Sequence, residues 1–239
     1  MFVLSSVRSG STLLRVMLGS HSQLYAPHEL HLNDVRVNLS SWFSESSMAD
    51  LGFDKQELTN LLWDRTLDIA LKRSGKRTIV EKTPNHLLVY QRIAENWRDA
   101  RFIFLLRHPA SIYQSWHSAR PNMSQDEAVE STLKYVTKLE EARHELTGID
   151  VRYEDLTTDP EAQTRRICEY LKIPWEPGMV DYGESGQTTF KRGLGDWSGK
   201  IRSGKPQAGR PLPKPDEVPE GLRGICRTWG YLAAEEARS

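Results

Sequence analysis

Apolar positions along this chain fall into two rhythms. Phe2, Val3 and Leu4 form a short continuous run ending in Ser5-Ser6, whereas Leu13, Leu14, Met17 and Leu18 recur at helical spacing. The pattern predicts a buried strand that feeds a helix through a polar turn. A second helix is predicted from an Asp54 N-cap to Gly75 on Leu58, Leu61, Leu62 and Ile69. Arg77-Thr-Ile-Val-Glu-Lys-Thr-Pro84 then reads as a short strand broken by its proline. After a helix over about 86–97 comes Arg101-Phe-Ile-Phe-Leu-Leu-Arg107, the most continuously apolar strand of the chain. It is therefore the expected central strand of a sheet covered on both faces. A helix through Ser111 and Ser115, a long one over 124–147, a strand over 149–153 and a helix over 160–171 continue the alternation. Strand and helix in turn predict an α/β fold, a parallel β-sheet flanked by helices and joined by right-handed crossovers.

Two stretches break the rhythm. Gln23 to Leu32 is extended and turns at Pro27, and the serine-rich segment that follows has little to bury, so an irregular lid is expected around 32–53. Beyond Pro174, glycines and prolines crowd 177–221. Lys191, Arg192, Lys200, Arg202, Lys205 and Arg210 face only Asp196 within 191–210, which makes this basic loop, around 183–215, a solvated tail or a clamp for an anion. Phe190 and Trp197 favour the clamp, because a solvated linker rarely keeps aromatics. A short helix around 222–229 closes the chain, which is expected to be one domain over 1–239.

Lysine plus arginine equals aspartate plus glutamate at 32 each, so no global field draws in nucleic acid or an anionic membrane. Cys168 and Cys226 form neither a disulfide framework nor a metal pattern, which fits a reducing compartment and a cytoplasmic location. No apolar run approaches about 18 residues, the length of a membrane span. The first residues already read as a core strand, leaving no room for a signal peptide, and the abrupt start is compatible with a domain cut from a longer chain. Oligomeric state is not legible.

The candidate chemistry starts between the first strand and helix. Arg8, Ser9, Gly10, Ser11 and Thr12 combine a cation, a backbone without a Cβ, three hydroxyls and the free N–H groups of a helix start, a combination suited to phosphate. The plainer reading is a βα turn with a surface arginine and a serine N-cap. A Walker A loop is disfavoured because no lysine precedes Ser11 or Thr12. Further along, Glu81-Lys82-Thr83 and Arg107, with Ser111 and Ser115 behind it, lie where parallel strands deliver residues to one edge.

Ser5-Ser-Val-Arg-Ser-Gly-Ser-Thr-Leu-Leu14 resembles the 5′-phosphosulfate loop of sulfotransferases that use 3′-phosphoadenosine 5′-phosphosulfate (PAPS). Leu106 to Trp116 is similar to their 3′-phosphate motif, an arginine at a strand end with a serine eight residues later. Tyr153-Glu-Asp-Leu156 resembles the family's segment of that composition, and Lys191-Arg-Gly-Leu-Gly-Asp-Trp197 its late basic glycine loop. The matches keep family order over residues 5–197. Tyr25 to Leu32 looks most like a bacterial branch with Pro-Glu-Leu-His in its acceptor loop, including polyketide-modifying domains. Here His28 intervenes between Pro27 and Glu29.

The resemblance implies a P-loop-like fold, PAPS as co-substrate without a metal, and a hydroxyl acceptor that is a small molecule or a carrier-bound, polyketide-like chain. Arg8, Ser9, Gly10, Ser11 and Thr12 are expected at the 5′ end, Arg107 and Ser115 at the 3′-phosphate, and Lys191, Arg192 and Gly193 in the loop that clamps the co-substrate. Tyr153 is expected to stack or hydrogen-bond at the adenosine, unless it is simply a half-buried strand tyrosine. Lys82 is a second donor for the leaving phosphate, or else an exposed strand-end lysine. Glu29 is placed first as base and His31 next, with the alternative that His31 is only a hydrogen-bonded spacer. His28, Glu29 and His31 lack the spacing of a helical metal site. A kinase, opposed by the missing Walker lysine, and a non-catalytic nucleotide-binding protein are the competing functions.

Overall fold

In the computed structural model, which describes residues 1–185 and 200–233, strands and helices alternate. β1 (Phe2–Ser5) leads into α1 (Ser11–Gly19) and the short β2 (Leu24–Tyr25). α2 (Trp42–Asp50), α3 (Lys55–Ser74) and β3 (Thr78–Ile79) follow, then α4 (Tyr90–Asn96), β4 (Phe102–Leu106), α5 (Pro109–Ala119) and α6 (Gln125–Glu145). β5 (Gly148–Arg152), α7 (Tyr153–Thr158), α8 (Pro160–Leu171) and α9 (Glu220–Thr228) complete the described elements.

β4 lies between β1 and β5, and both pairings are parallel. β2 and β3 form a second parallel pair. The chain leaving β3 then bridges to β1, where Val3 N–H donates to the Glu81 carbonyl (2.9 Å) and Glu81 N–H to that of Met1 (3.0 Å). Alternation along the strands divides the core between two faces. Val3, Ile103, Leu105 and Val151 pack with Leu14 and Met17 of α1 and Ile167 of α8. Phe2, Leu4, Phe102 and Phe104 pack with Trp63 of α3, Ile93 of α4, Val136 of α6 and Trp229. Every residue of β4 is buried, as expected of a strand covered on both sides. Because the strands are parallel, the ends of β1 and β4 and the Glu81 stretch open on one edge.

Three sequence expectations are corrected. The segment expected to be irregular around 32–53 contains α2, started by a reciprocal cap between Ser41 and Ser44. None of its residues is buried, so apolar periodicity could not reveal it. The helix expected over 86–97 divides into a 3-10 turn, Pro84–Val89, and then α4. The strand expected from Arg77 to Pro84 shrinks to two paired residues and the single bridge at Glu81. Among the described residues no helix is long and apolar enough to cross a membrane.

Cys168 and Cys226 are free thiols in the interior. Burial pushes both up to about 11. At pH 8 only about 0.1% of such a thiol is thiolate, the reactive form. Iodoacetamide at pH 8 should therefore label both cysteines only after urea unfolds the protein. Equal labelling rates with and without urea would show that these interiors open freely.

Candidate active site

Two left-handed residues shape the turn after β1. Arg8 has φ +67° and Gly10 has φ +88°. Ser9 is buried between them and folds back, its N–H and Oγ both donating to the Ser6 carbonyl (3.3 and 2.7 Å). Gly10 is the N-cap of α1 and no side chain caps that helix; the Leu13 N–H turns to the Gly10 carbonyl (3.0 Å), which leaves the Ser11 and Thr12 amides to an anion. A Cβ on Gly10 would stand 2.2 Å from Cδ2 of Tyr153, so only glycine lets this ring approach the loop. Tyr153 opens α7 rather than ending β5. The Arg107 guanidinium lies 4.4 Å from its ring centroid.

Arg107 locks the arrangement by donating from Nη1 to the Arg8 carbonyl (2.8 Å), and Arg8 Nε donates to Ser115 Oγ on α5 (3.1 Å). Behind them, Glu154 accepts from the His108 N–H (3.0 Å) and the Tyr231 hydroxyl (2.8 Å), joining the end of β4 to the C-terminal segment. Arg107 Nε is buried and has no hydrogen-bond partner among the described residues. Burial lowers the pKa of Arg8, and the charges of Arg107, Arg120 and Arg210 lower it further. Burial also lowers that of Arg107, with Tyr153 and Glu154 opposing and Arg210 adding to the effect. A surface arginine and a serine N-cap are thus excluded. The loop has a glycine cap and a half-buried arginine within a cluster of like charges.

The other wall grows from Glu81-Lys82-Thr83. Glu81 is 1% exposed, and its two carboxylate oxygens are occupied. Oε2 pairs with His86 Nδ1 (2.6 Å) and accepts the Thr83 N–H (3.1 Å), while Oε1 accepts the Thr83 hydroxyl (2.6 Å). Burial alone would raise the Glu81 pKa, but the His86 contact and the Thr83 hydroxyl outweigh it and leave the value below the ordinary one. With its proton committed to Glu81, Thr83 Oγ1 turns its lone pairs outward and accepts the N–H groups of Leu30 (3.1 Å) and His31 (3.3 Å). The loop carrying the candidate bases is held there, with His31 at φ +47°.

Lys82 points the opposite way and forms an ion pair with Glu29 Oε1. It is 2% exposed, not the exposed strand-end lysine of the plainer reading; burial lowers its pKa and Glu29 opposes that shift. His31 Nε2 stands 3.4 Å from the other Glu29 oxygen. Arg15, buried in α1, donates to the Ala26 carbonyl (2.9 Å) and is lowered to about 10 by burial, with Glu29 opposing.

Both walls enclose one cleft of about 780 Å³. The structure brings Arg8, Gly10, Ser11, Thr12, Glu29 and His31 to it, together with Lys82, Arg107, Ser115 and Tyr153. Ser9 lies beneath the loop and shapes it without lining the cleft. Lys191, Arg192 and Gly193, like Phe190 and Trp197, fall outside the described residues. Of the basic loop, Arg210 lines the cleft, whereas Lys205 turns to Asp181 (3.2 Å). Sequence reasoning missed Arg15, whose signal was a charge inside an apolar helix, and the Thr83–Glu81–His86 network, which has no signature in spacing. Among the described residues no three His, Cys, Asp or Glu side chains are grouped to hold a metal ion.

A model of the Sulfotransferase family matches residues 1–177. Protein-tyrosine sulfotransferase A of Caenorhabditis elegans is 22% identical over 190 residues, covering 73% of this chain and 50% of the relative. The chain thus spans half the length of that relative, and smaller shares of other curated proteins it matches. Two solved structures share the fold. The sulfotransferase domain of the Synechococcus PCC 7002 olefin synthase has a TM-score of 0.66 at 24% identity, covering 98% of this chain and 94% of that domain. The domain from the curacin biosynthetic pathway has a TM-score of 0.62 at 23% identity, covering 95% and 96%.

The Thr83 hydroxyl should be worth more than its size. Thr83→Val strips one donor from a buried carboxylate and one acceptor from two amides, an expected loss of about 2–4 kcal/mol in urea unfolding. Thr83→Ser keeps the hydroxyl and should lose under about 1 kcal/mol. Equal losses would mean that the methyl group, not the hydrogen bonds, is what the site needs.

Proposed function

The chain belongs to the sulfotransferase family, and from that premise we propose that it transfers a sulfuryl group from PAPS to a hydroxyl of a small molecule or carrier-bound chain. One observation carries the reading: a single cleft gathers the uncapped α1 loop with Arg8 and the β4 end with Arg107, joined through the Arg8 carbonyl, beside a carboxylate paired to a buried lysine. The donor fits what is present. Its 5′ end would rest on the uncapped α1 amides and Arg8, and its 3′-phosphate on Arg107, whose Nε is unpartnered, and Ser115. Tyr153, flattened between Gly10 and Arg107, offers a ring edge at the adenosine.

PAPS supplies the sulfuryl group and, in its bisphosphate, a leaving group. The chain's own residues position and neutralise. Glu29 takes the proton of the acceptor hydroxyl as its oxygen bonds to sulfur and the bond from sulfur to the 5′-phosphate oxygen breaks. A protonated Glu29 no longer holds the Lys82 ammonium, which becomes free to donate toward the charge appearing on the phosphate. His31, beside the second Glu29 oxygen, orients the carboxylate and can relay its proton. Buried thiols without a disulfide support a reducing, cytoplasmic setting.

Calorimetric titration without magnesium should show adenosine 3′,5′-bisphosphate binding at least about tenfold tighter than ADP. Arg107→Ala should erase most of that preference, weakening the bisphosphate far more than ADP. Equal affinity for the two nucleotides in the unaltered protein would reject the 3′-phosphate site. Glu29→Gln should retain bisphosphate affinity and lower turnover by about 100-fold or more. An unchanged rate would transfer the base role to His31.

A further inference from the structure

The cleft holds more positive charge than the nucleotide requires. Among the described residues seven lysines and arginines line it, against one carboxylate, Glu29. Arg8 and Arg107 serve the nucleotide on the reading above, Arg210 of the basic loop acts on both of them, Lys82 pairs with Glu29, and Arg15 is turned to the Ala26 carbonyl. Arg120 and Lys134 are left over. They lie on the stretch of the cleft lined by the end of α5 and by α6.

That wall is built rather than incidental. The Arg120 guanidinium lies 4.3 Å from the ring centroid of Trp116, which is 7% exposed. Trp116 tilts against Tyr135 at 6.3 Å, and the Tyr135 hydroxyl donates to Asn85 Oδ1. Asn85 follows Lys82-Thr83-Pro84, so the wall is tied to the stretch that holds Glu29. Trp116 Nε1 is buried without a hydrogen-bond partner among the described residues. Arg120 acts on both Arg8 and Tyr135, so its charge is within electrostatic reach of the glycine loop as well as of the wall. A cation at the C-terminus of α5 suits the helix carbonyls there. That does not explain Lys134, inside α6, whose same-charge neighbour one turn on, Lys138, has taken Glu141.

We infer that the acceptor itself carries an anionic group, a phosphate or a carboxylate, held between Arg120 and Lys134 while its hydroxyl is presented to Glu29. The inference rests on the sulfuryl-transfer reading and extends it to the substrate class. A neutral acceptor would leave both cations on the cleft wall, beside Trp116 and Tyr135, without an anionic partner among the described residues. An anionic one satisfies both and would otherwise be repelled by the phosphosulfate.

The test keeps the nucleotide site filled. Protein saturated with adenosine 3′,5′-bisphosphate is titrated calorimetrically with butyl phosphate, butyrate and butanamide, probes of equal alkyl length. At least one anion should bind about tenfold tighter than the amide, and which one does identifies the group. In the Arg120→Gln/Lys134→Gln double variant the advantage should vanish, with bisphosphate affinity unchanged within about twofold. Equal affinity for all three probes overturns the inference. So does a double variant that loses bisphosphate affinity about tenfold, because its cations would then belong to the nucleotide. Failure of the bisphosphate to bind the unaltered protein is a separate result that rejects the nucleotide reading and this inference with it.

Discussion

A single hydroxyl, that of Thr83, joins a buried carboxylate to the loop that carries the candidate base. Glu81 sits where the chain bridges to β1, at an edge of the sheet with no access to water. An isolated charge there would cost several kcal/mol, so the carboxylate is tolerable only because His86 and Thr83 occupy it. The same requirement orients Thr83. Its proton is drawn to Glu81, its lone pairs face Leu30 and His31, and the acceptor loop inherits its position from a buried charge. Extended backbone then does the rest. Residues 81 and 83 face the interior, so Lys82 between them faces the cleft and meets Glu29.

The opposite wall depends on a different constraint, the close approach of an aromatic ring to a backbone. Tyr153 can reach the loop because Gly10 has no Cβ, and Arg107 can lie on Tyr153 because that ring is held flat. From this stack Arg107 reaches the Arg8 carbonyl and Arg8 reaches Ser115. The resulting cluster is electrostatically unfavourable on its own, since burial and mutual repulsion both depress the arginines. An anion relieves both terms. Donors arranged before the ligand arrives need no reorganisation when charge develops on it, which is the condition for electrostatic catalysis.

Most of the fold was legible from periodicity because its elements bury apolar faces. β1, β4, α1, α6 and α8 all lie where their apolar spacing puts them. The failures share a physical cause. α2 buries nothing, so its start depends on a serine cap rather than a hydrophobic stripe. The 3-10 turn at Pro84 brings His86 back to Glu81, a contact that no local pattern encodes. At the site, loop chemistry and strand ends pointed to the lining residues, because cations, glycine and hydroxyls at such places have few other uses. Burial was not legible. Lys82 could be read as exposed until α1 and the Pro27 to His31 loop are seen to cover it, and Glu81 attracted no role because its partners are assembled by packing.

The two walls also explain why the charge in this cleft is spread rather than concentrated. Two unit charges about 4 Å apart interact by about 4 kcal/mol at a dielectric typical of a protein surface. An acceptor anion beside a bound phosphosulfate would meet repulsion of that order, growing as its hydroxyl approached sulfur. Arg120 lines the same cleft as Glu29 and is near enough to influence both Arg8 and Tyr135. Its stacking on Trp116 fixes it there without using a carboxylate, which would cancel the charge it is needed for. An arginine held by a ring keeps its hydrogen-bonding edge and its full charge. The aromatic floor and the cationic wall are therefore one device, and it makes sense only if something negative arrives from the acceptor side.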